Sequence, residues 1–374
     1  MSYLALIASA LADLQERSLR RTLRAALPAG ALDFTSNDYL GLAHDFSIVG
    51  ALRGAAQFGS GGSRLLAGAH PEHMALERDL AEWTGRERAL LFSSGYLAAL
   101  GAIVTLAPFV KRIRSDVRLH ACGIDAIRLT NLPRATYPHD TYGLTNAARE
   151  GEPTMVVTES LFGVSGTRVD IRALLARLGR HDVLLVDEAH ALGVAGASGA
   201  GLCAGIDDPR IVVIGTLSKA LGGLGGFVAG PTAVIDYLVT AARTFIFDTA
   251  LPPALAGALR TALEHARGDF GDRARARLAE NVSALVAGLR SHDSSVPHAL
   301  GPIVPIIIGD AAQAVAIGVA LEARGIFAPA LRPPTVADGA SQLRATVRAN
   351  HSQADIDAFI RAYAGVRTPH RTRP

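Results

Sequence analysis

Apolar and polar positions follow two rhythms along this chain, and their order predicts its architecture. Strand-like runs rich in β-branched and aliphatic residues lie at 89–92, 112–115, 154–159, 183–186 and 211–214. Helical spacing fills 73–84, 97–106, 274–289 and 311–324. The βα alternation of the first two thirds predicts a mostly parallel central sheet covered on both faces, the α/β class. In such a sheet ligands collect beyond the carboxyl ends of the strands. Further strands are expected at 32–35, 226–229, 303–308 and 343–348, and SQADIDAFIRAY reads as a last helix with Ser352 near its N-cap. At the start, Leu4, Ile7, Leu11 and Leu14 recur at helical spacing, so an amphipathic helix is expected from Leu4 to about Leu27, broken at 28–31. YLALIASALA has the apolarity of a signal segment, but no basic residue precedes it.

A chain of 374 residues is long for a single core. The expected division is an N-terminal helix and arm over 1–44, a large domain over 45–268, and a small α+β lobe over 269–374. With 49% hydrophobic and 19% charged residues, the composition is that of a compact enzyme. The net charge of +3 is spread thinly, and the only basic cluster is the terminal VRTPHRTRP, read as a frayed tail. That argues against a nucleic-acid partner, and no apolar run reaches membrane-spanning length. Cys122 and Cys203 are too few for a disulfide framework and fit a reducing cytoplasm.

The candidate chemistry begins with a count. Of 37 basic residues only Lys111 and Lys219 are lysine. Lys111, in VKRIR, reads as a solvated loop residue. Lys219 lies between an apolar strand and a glycine-rich turn in IVVIGTLSKALGG. Arginine stays protonated and cannot form a Schiff base, whereas a desolvated lysine can. Asp187 and His190, in LLVDEAHALG, stand at another strand end, as does Thr216. In ALLFSSGY a strand, a small polar turn and a helix succeed one another. That order sets the N–H groups of Gly95 and Tyr96 at a helix N-terminus, which is either a phosphate site or a plain βα turn. The loop FGSGGSRLLAGAH around Arg64 suits an anion or an ordinary linker equally. A helicase reading of DEAH fails because neither lysine follows a glycine; HExxH and GxSxG are absent, and GAGLCA does not directly follow a strand. No metal site is expected. A lysine, a strand-end carboxylate with a histidine three residues on, and a phosphate turn are what pyridoxal phosphate (PLP) requires.

The motifs TSNDYLGLA, GSGGSRLLAG, ALLFSSGY, MVVTESLF, VDEAHALGVAG, TLSKALGG, LPPA and LRPPTV span nearly the whole chain. Through them the sequence resembles the α-oxoamine synthases, a family of fold-type I PLP enzymes, and LRPPTV favours the biotin branch. The resemblance implies that Lys219 carries the cofactor and moves the substrate proton. It pairs Asp187 with the pyridine nitrogen and His190 with the ring hydroxyl, and assigns the phosphate to Gly95, Tyr96 and Thr216. His120 matches a histidine that stacks on the ring and touches substrate; read alone, it is a partly buried histidine after a strand. Arg332, Thr335, Arg20 and Asn37 match substrate-contacting positions, although a solvated helix face explains Arg20 as well. The implied reaction condenses L-alanine with pimeloyl-CoA or a pimeloyl-acyl-carrier protein, with loss of carbon dioxide. The implied assembly is a cytoplasmic homodimer in which Thr249 reaches toward the partner's phosphate. Three positions depart from the family pattern. Gly163 stands for a cofactor-contacting serine, so that side-chain contact is lost or moved; Ala191 stands for a glycine and Ala99 for an asparagine, both expected near the cofactor and acyl channel.

Overall fold

The computed structural model describes residues 2–23, 26–139 and 152–367. Its strands begin with β1 (Leu32–Asp33), β2 (Arg88–Phe92), β3 (Arg112–Asp116), β4 (Arg134–Tyr137), β5 (Thr154–Glu159) and β6 (Val183–Asp187). β7 (Ile211–Thr216), β8 (Gly226–Gly230), β9 (Ile303–Gly309), β10 (Ile326–Phe327), β11 (Ala330–Leu331) and β12 (Ser341–Thr346) follow. The chain divides into two compact units, Asn37–Gly163 with Thr167–Arg277, and Met1–Ser36 with Val164–Gly166 and Leu278–Pro374.

The larger unit holds a seven-stranded sheet in the order β2-β8-β7-β6-β5-β3-β4. All neighbours are parallel except around β8, which opposes both β2 and β7. Since β2 and β7 both oppose β8, β2 runs with the parallel strands. The carboxyl ends of β2, β3, β5, β6 and β7 therefore share one sheet edge. Every residue of β5, β7 and β8 is buried, as a sheet covered on two faces demands. One core cluster joins Leu90, Ile113, Met155, Leu185, Val212 and Val228 of the sheet to Ala98, Ala102 and Ile103 of the helix Gly95–Leu106. Full burial of each large aliphatic among them stabilises the fold by about 1.5–3 kcal/mol. Alanines and Gly101 let that helix lie close: a Cβ on Gly101 would come within 2.4 Å of Thr244 Oγ1.

The smaller unit is α+β. β11, β12 and β9 form an antiparallel sheet, and β1 pairs in parallel with β10, Leu32 opposite Ile326. The helix Gln353–Arg367 is capped reciprocally, Asp355 N–H donating to Ser352 Oγ at 3.2 Å and Ser352 N–H to Asp355 Oδ2 at 2.8 Å.

The structure corrects several expectations. The N-terminal helix spans Tyr3–Glu16 rather than reaching Leu27. Ser18 adopts a left-handed φ of 56°, and Leu19 and Arg20 N–H groups turn back onto the Leu14 carbonyl, which closes the helix. Arg17, Arg20 and Arg21 consequently follow the helix instead of forming its basic face; Arg24 and residues 368–374 of the basic tail lie outside the described residues. The loop around Arg64 contains a helical turn, Arg64–Gly68, and the Arg64 guanidinium makes a forked pair with Glu77 at 2.8 and 3.1 Å. That cation is already matched by a carboxylate. Ala99 and Ala191 are buried in apolar clusters. β4, four residues with only Tyr137 buried, was not foreseen. Lys111 is exposed. No helix among the described residues is long and apolar enough to cross a membrane.

Candidate active site

The shared strand edge of the larger unit collects the ionisable groups. β6 ends at Asp187 and turns at once, Asp187 Oδ1 accepting the Ala189 N–H at 2.8 Å, which swings His190 back over the edge. β7 ends at Thr216, three residues before Lys219. Lys219 Nζ lies 2.7 Å from His190 Nε2, and His190 Nδ1 lies 2.6 Å from the hydroxyl of Tyr39. Tyr39 donates to Asn37 Oδ1 at 3.2 Å. Asn37 thus joins Lys219 and His190 in one hydrogen-bonded chain through a tyrosine that sequence reasoning passed over. Asp38 anchors this turn, its carboxylate accepting the N–H groups of Leu42 and Ala43 at 2.9 and 3.1 Å.

His120 caps the helix Ala121–Leu129, its Nδ1 accepting the Cys122 N–H at 3.2 Å. The Cys122 thiol stands 3.0 Å from the same nitrogen and 3.9 Å from Asp187 Oδ2, which ties His120 to Asp187. Loss of water lowers the His120 pKa, with Lys219 acting in the same sense and Asp187 against it. Burial also pushes the Cys122 thiol far up, so it remains protonated.

Glu159, at the end of β5, was not singled out from the sequence. It pairs in register with Asp187, and only 4% of it is exposed. Its oxygens accept the His120 N–H at 2.9 Å and the Gly163 N–H at 3.1 Å. Burial, reinforced by the Asp187 charge, pushes its pKa up to about 8. A glutamate closing an apolar strand inside MVVTESLF was the available signal.

A helix N-terminus and a pair of hydroxyls meet farther along the edge. Ser94 caps the helix Gly95–Leu106, accepting the Leu97 N–H at 3.2 Å, and leaves the Gly95 and Tyr96 N–H groups in the first turn. Thr216 Oγ1 sits 2.8 Å from Ser218 Oγ. A Cβ at Gly95 would crowd Thr216 at 3.1 Å, and one at Gly226 would come within 2.4 Å of Gly95 N. Glycine at both positions keeps the helix terminus open. Tyr96 is half exposed, its hydroxyl donating to Asp125. An amine, a carboxylate, two imidazoles, paired hydroxyls and a helix N-terminus on one edge fit the aldehyde, ring and phosphate of PLP.

Thr249 is exposed, next to Asp248, which accepts from Ser93. In the smaller unit Arg332 donates to the Ser18 carbonyl, and Arg21, not Arg20, reaches Thr335, at 3.1 Å from its hydroxyl. Arg20 itself is exposed. Among the described residues no cluster of His, Cys, Asp and Glu could hold a metal ion.

The model of the aminotransferase class I and II family matches residues 29–362. The chain belongs to that family. Proteins named 8-amino-7-oxononanoate synthase from Cupriavidus metallidurans and Mycobacterium sp. (strain KMS) are 39% and 43% identical to it. These matches cover 91% and 94% of this chain, and 88% and 94% of those proteins. Among solved structures, serine palmitoyltransferase from S. paucimobilis with bound PLP aligns at a TM-score of 0.88 and 25% identity, covering 98% of each chain. The 8-amino-7-oxononanoate synthase of Francisella tularensis aligns at 0.75 and 28% identity, over 90% of this chain and 98% of that one. The enzyme is a PLP-dependent acyltransferase with the fold-type I architecture.

The Glu159 carboxyl yields a pH prediction. A carboxyl whose pKa is raised by folding stabilises the fold below its unfolded value, here 4.5, and loses that contribution as pH rises through about 8. Glu188, also raised by burial, contributes in the same sense. Urea midpoints of wild type should therefore fall from pH 4.5 to pH 8, and Glu159→Gln should remove part of that fall. The same substitution should cost about 1 kcal/mol at acid pH, because an amide nitrogen replaces one acceptor. Parallel slopes for the two proteins would show that Glu159 does not titrate there.

Proposed function

We propose that this enzyme is an 8-amino-7-oxononanoate synthase that joins L-alanine to a pimeloyl thioester, carried by coenzyme A or an acyl-carrier protein. The observation that carries the reading is the 39–43% identity to synthases of that name over nearly the full chain. It is supported by Lys219, Asp187, His190 and His120 gathering on one strand edge.

Bound PLP supplies an electron sink for negative charge at the amino acid's α-carbon. Lys219 removes the α-hydrogen, and the α-carbon attacks the thioester carbonyl. The C–S bond breaks and the thiol carrier leaves; the alanine carboxyl departs as carbon dioxide, and Lys219 returns a proton to the same carbon. Asp187 holds the ring nitrogen and favours its protonated form, the opposite-charge case of pKa shifting. His190 holds the ring hydroxyl and His120 stacks on the ring beside the substrate. Gly95 and Tyr96 N–H groups and the Thr216 hydroxyl take the phosphate. Gly163, without a side chain, serves the cofactor through backbone alone. Arg332 and Thr335 contact the substrate, Arg332 as a carboxylate fork, with Arg20 as a further anion contact and Asn37 lining the pocket.

We also place the enzyme in the cytoplasm as a homodimer, organised as 1–44, 45–268 and 269–374, with Thr249 of one protomer reaching the phosphate held by its partner. Free, buried Cys122 and Cys203 support a reducing compartment. Exposed Tyr3, Leu4 and Leu6 on the N-terminal helix, and Phe58, Leu66 and Phe247 in the larger unit, support a covering subunit. The TM-score of 0.88 to serine palmitoyltransferase favours a second reading, a sibling synthase that uses serine or glycine with another acyl donor.

Lys219→Ala should fold and bind PLP reversibly, lose the borohydride-fixed label found on Lys219 of wild type by peptide mapping, and lose turnover by about a thousandfold or more. A label on Lys111 in wild type would overturn the assignment. Alanine, glycine and serine crossed with pimeloyl, acetyl and palmitoyl thioesters, scored by thiol release and product mass, should give the highest kcat/KM for alanine with pimeloyl. A maximum at serine with palmitoyl would move the enzyme to the sibling branch. Light scattering of active enzyme should give twice the chain mass, and an active monomer would exclude the shared phosphate site.

A further inference from the structure

Tyr39 is wholly buried, and its hydroxyl meets two groups that cannot both take its single hydrogen. It donates to Asn37 Oδ1 at 3.2 Å, and it lies 2.6 Å from His190 Nδ1. On the far side of the same imidazole, Nε2 lies 2.7 Å from Lys219 Nζ. An ammonium donates and never accepts, so against it Nε2 must be bare. A neutral ring then carries its hydrogen on Nδ1 and donates it to the Tyr39 oxygen, which leaves the tyrosine hydrogen for Asn37. This assignment satisfies all three contacts without charging the ring. When Nε2 faces an acceptor instead, one rotation of the Tyr39 hydrogen from Asn37 to Nδ1 lets the ring carry its hydrogen on Nε2. The hydroxyl thus reads the state of the group opposite Nε2 through the ring.

A second observation fixes where that ring lies. A Cβ built on Gly163 would stand 2.2 Å from His190 Nε2 and 2.8 Å from both Cδ2 and Cε1. The backbone of Gly163 is outside the left-handed region, so the imidazole, and not the dihedral angle, excludes a side chain there. The Gly163 N–H is held by buried Glu159 at 3.1 Å, which keeps the backbone from retreating.

We propose that Tyr39 and Gly163 are positioning residues for His190. The Tyr39 hydroxyl partners Nδ1 in whichever tautomer the group opposite Nε2 requires, and the bare backbone of Gly163 gives the ring the place from which Nε2 meets Lys219. This rests on the roles proposed above for Lys219 and His190, and it adds Tyr39 and a second role for Gly163, both exerted through the imidazole.

The test uses full-length protein with 15N-labelled histidine, before PLP is added and after, with the His190 ring signals identified by their loss in His190→Asn. Before PLP is added, wild type should show a protonated Nδ1 and a bare Nε2. In Tyr39→Phe, which keeps the packing and removes only the hydroxyl, Nδ1 loses its partner and its 15N signal should move, while Nε2 stays bare against Lys219. The PLP dissociation constant should rise by about three- to tenfold, and kcat should fall about tenfold with the KM for L-alanine within about twofold. Gly163→Ala should move every His190 ring signal and weaken PLP binding by about tenfold or more. Unchanged His190 nitrogens in Tyr39→Phe would overturn the role of the hydroxyl, and wild-type His190 signals in Gly163→Ala would overturn that of the glycine. Absence of thiol release by wild type would remove the functional reading while leaving the tautomer result to stand or fall by itself.

Discussion

Two carboxyl groups at register-paired positions of neighbouring parallel strands set the electrostatics of this site. Glu159 and Asp187 close β5 and β6 side by side, at the edge where the sheet gives way to loops. Like charges that close, one of them fully buried, do not both ionise cheaply. Burial and the Asp187 charge hold the Glu159 proton on, and the two backbone N–H groups it receives come from His120 and Gly163. Glu159 therefore acts as a neutral strut beneath two loops, and Asp187 beside it accepts the Ala189 N–H that turns the chain after β6. The remaining groups follow from that division. Lys219 enters from β7 opposite His190, and His120 comes from the loop after β3.

The parts of this arrangement that were legible in the sequence are those that local pattern alone determines. A parallel strand buried on both faces is an apolar run, which is why β5 and β7 stood out, β5 at its full extent. Lysine scarcity marked Lys219 because arginine had taken the ordinary surface positions. Long-range matches were hidden. Arg64 looked available for an anion until Glu77, thirteen residues on, was found at 2.8 Å. The first helix carried its apolar spacing past Glu16, but one left-handed residue, Ser18, ended it. β4 is recruited by pairing with β3 rather than by its own weak pattern. Tyr39 was passed over, since nothing local says that its hydroxyl meets a histidine 151 positions away.

The departures from the family pattern acquire a physical sense in the same terms. Glycine for serine at position 163 removes a side chain from the space that the His190 ring occupies. A Cβ at that position would stand 2.2 Å from His190 Nε2, so the bare backbone leaves the imidazole its seat beside Lys219. Alanine at 99 and at 191 packs within apolar clusters of the larger unit.

The two histidines of the site hold opposite tautomers, and the reason lies in what each Nδ1 meets. At His120 that nitrogen accepts a backbone N–H from Cys122, which a protonated nitrogen could not do, so the ring hydrogen resides on Nε2. Burial keeps the ring neutral, and the high-pKa thiol beside it adds a weak donor and shape rather than reactivity. At His190 the Nδ1 partner is a hydroxyl, which can donate or accept, so the tautomer there is left to the group opposite Nε2. A backbone donor fixes one imidazole and a rotatable hydroxyl leaves the other adjustable. The fixed ring is the one whose Nδ1 is held by the backbone at Cys122, and the adjustable ring is the one whose Nε2 meets the lysine.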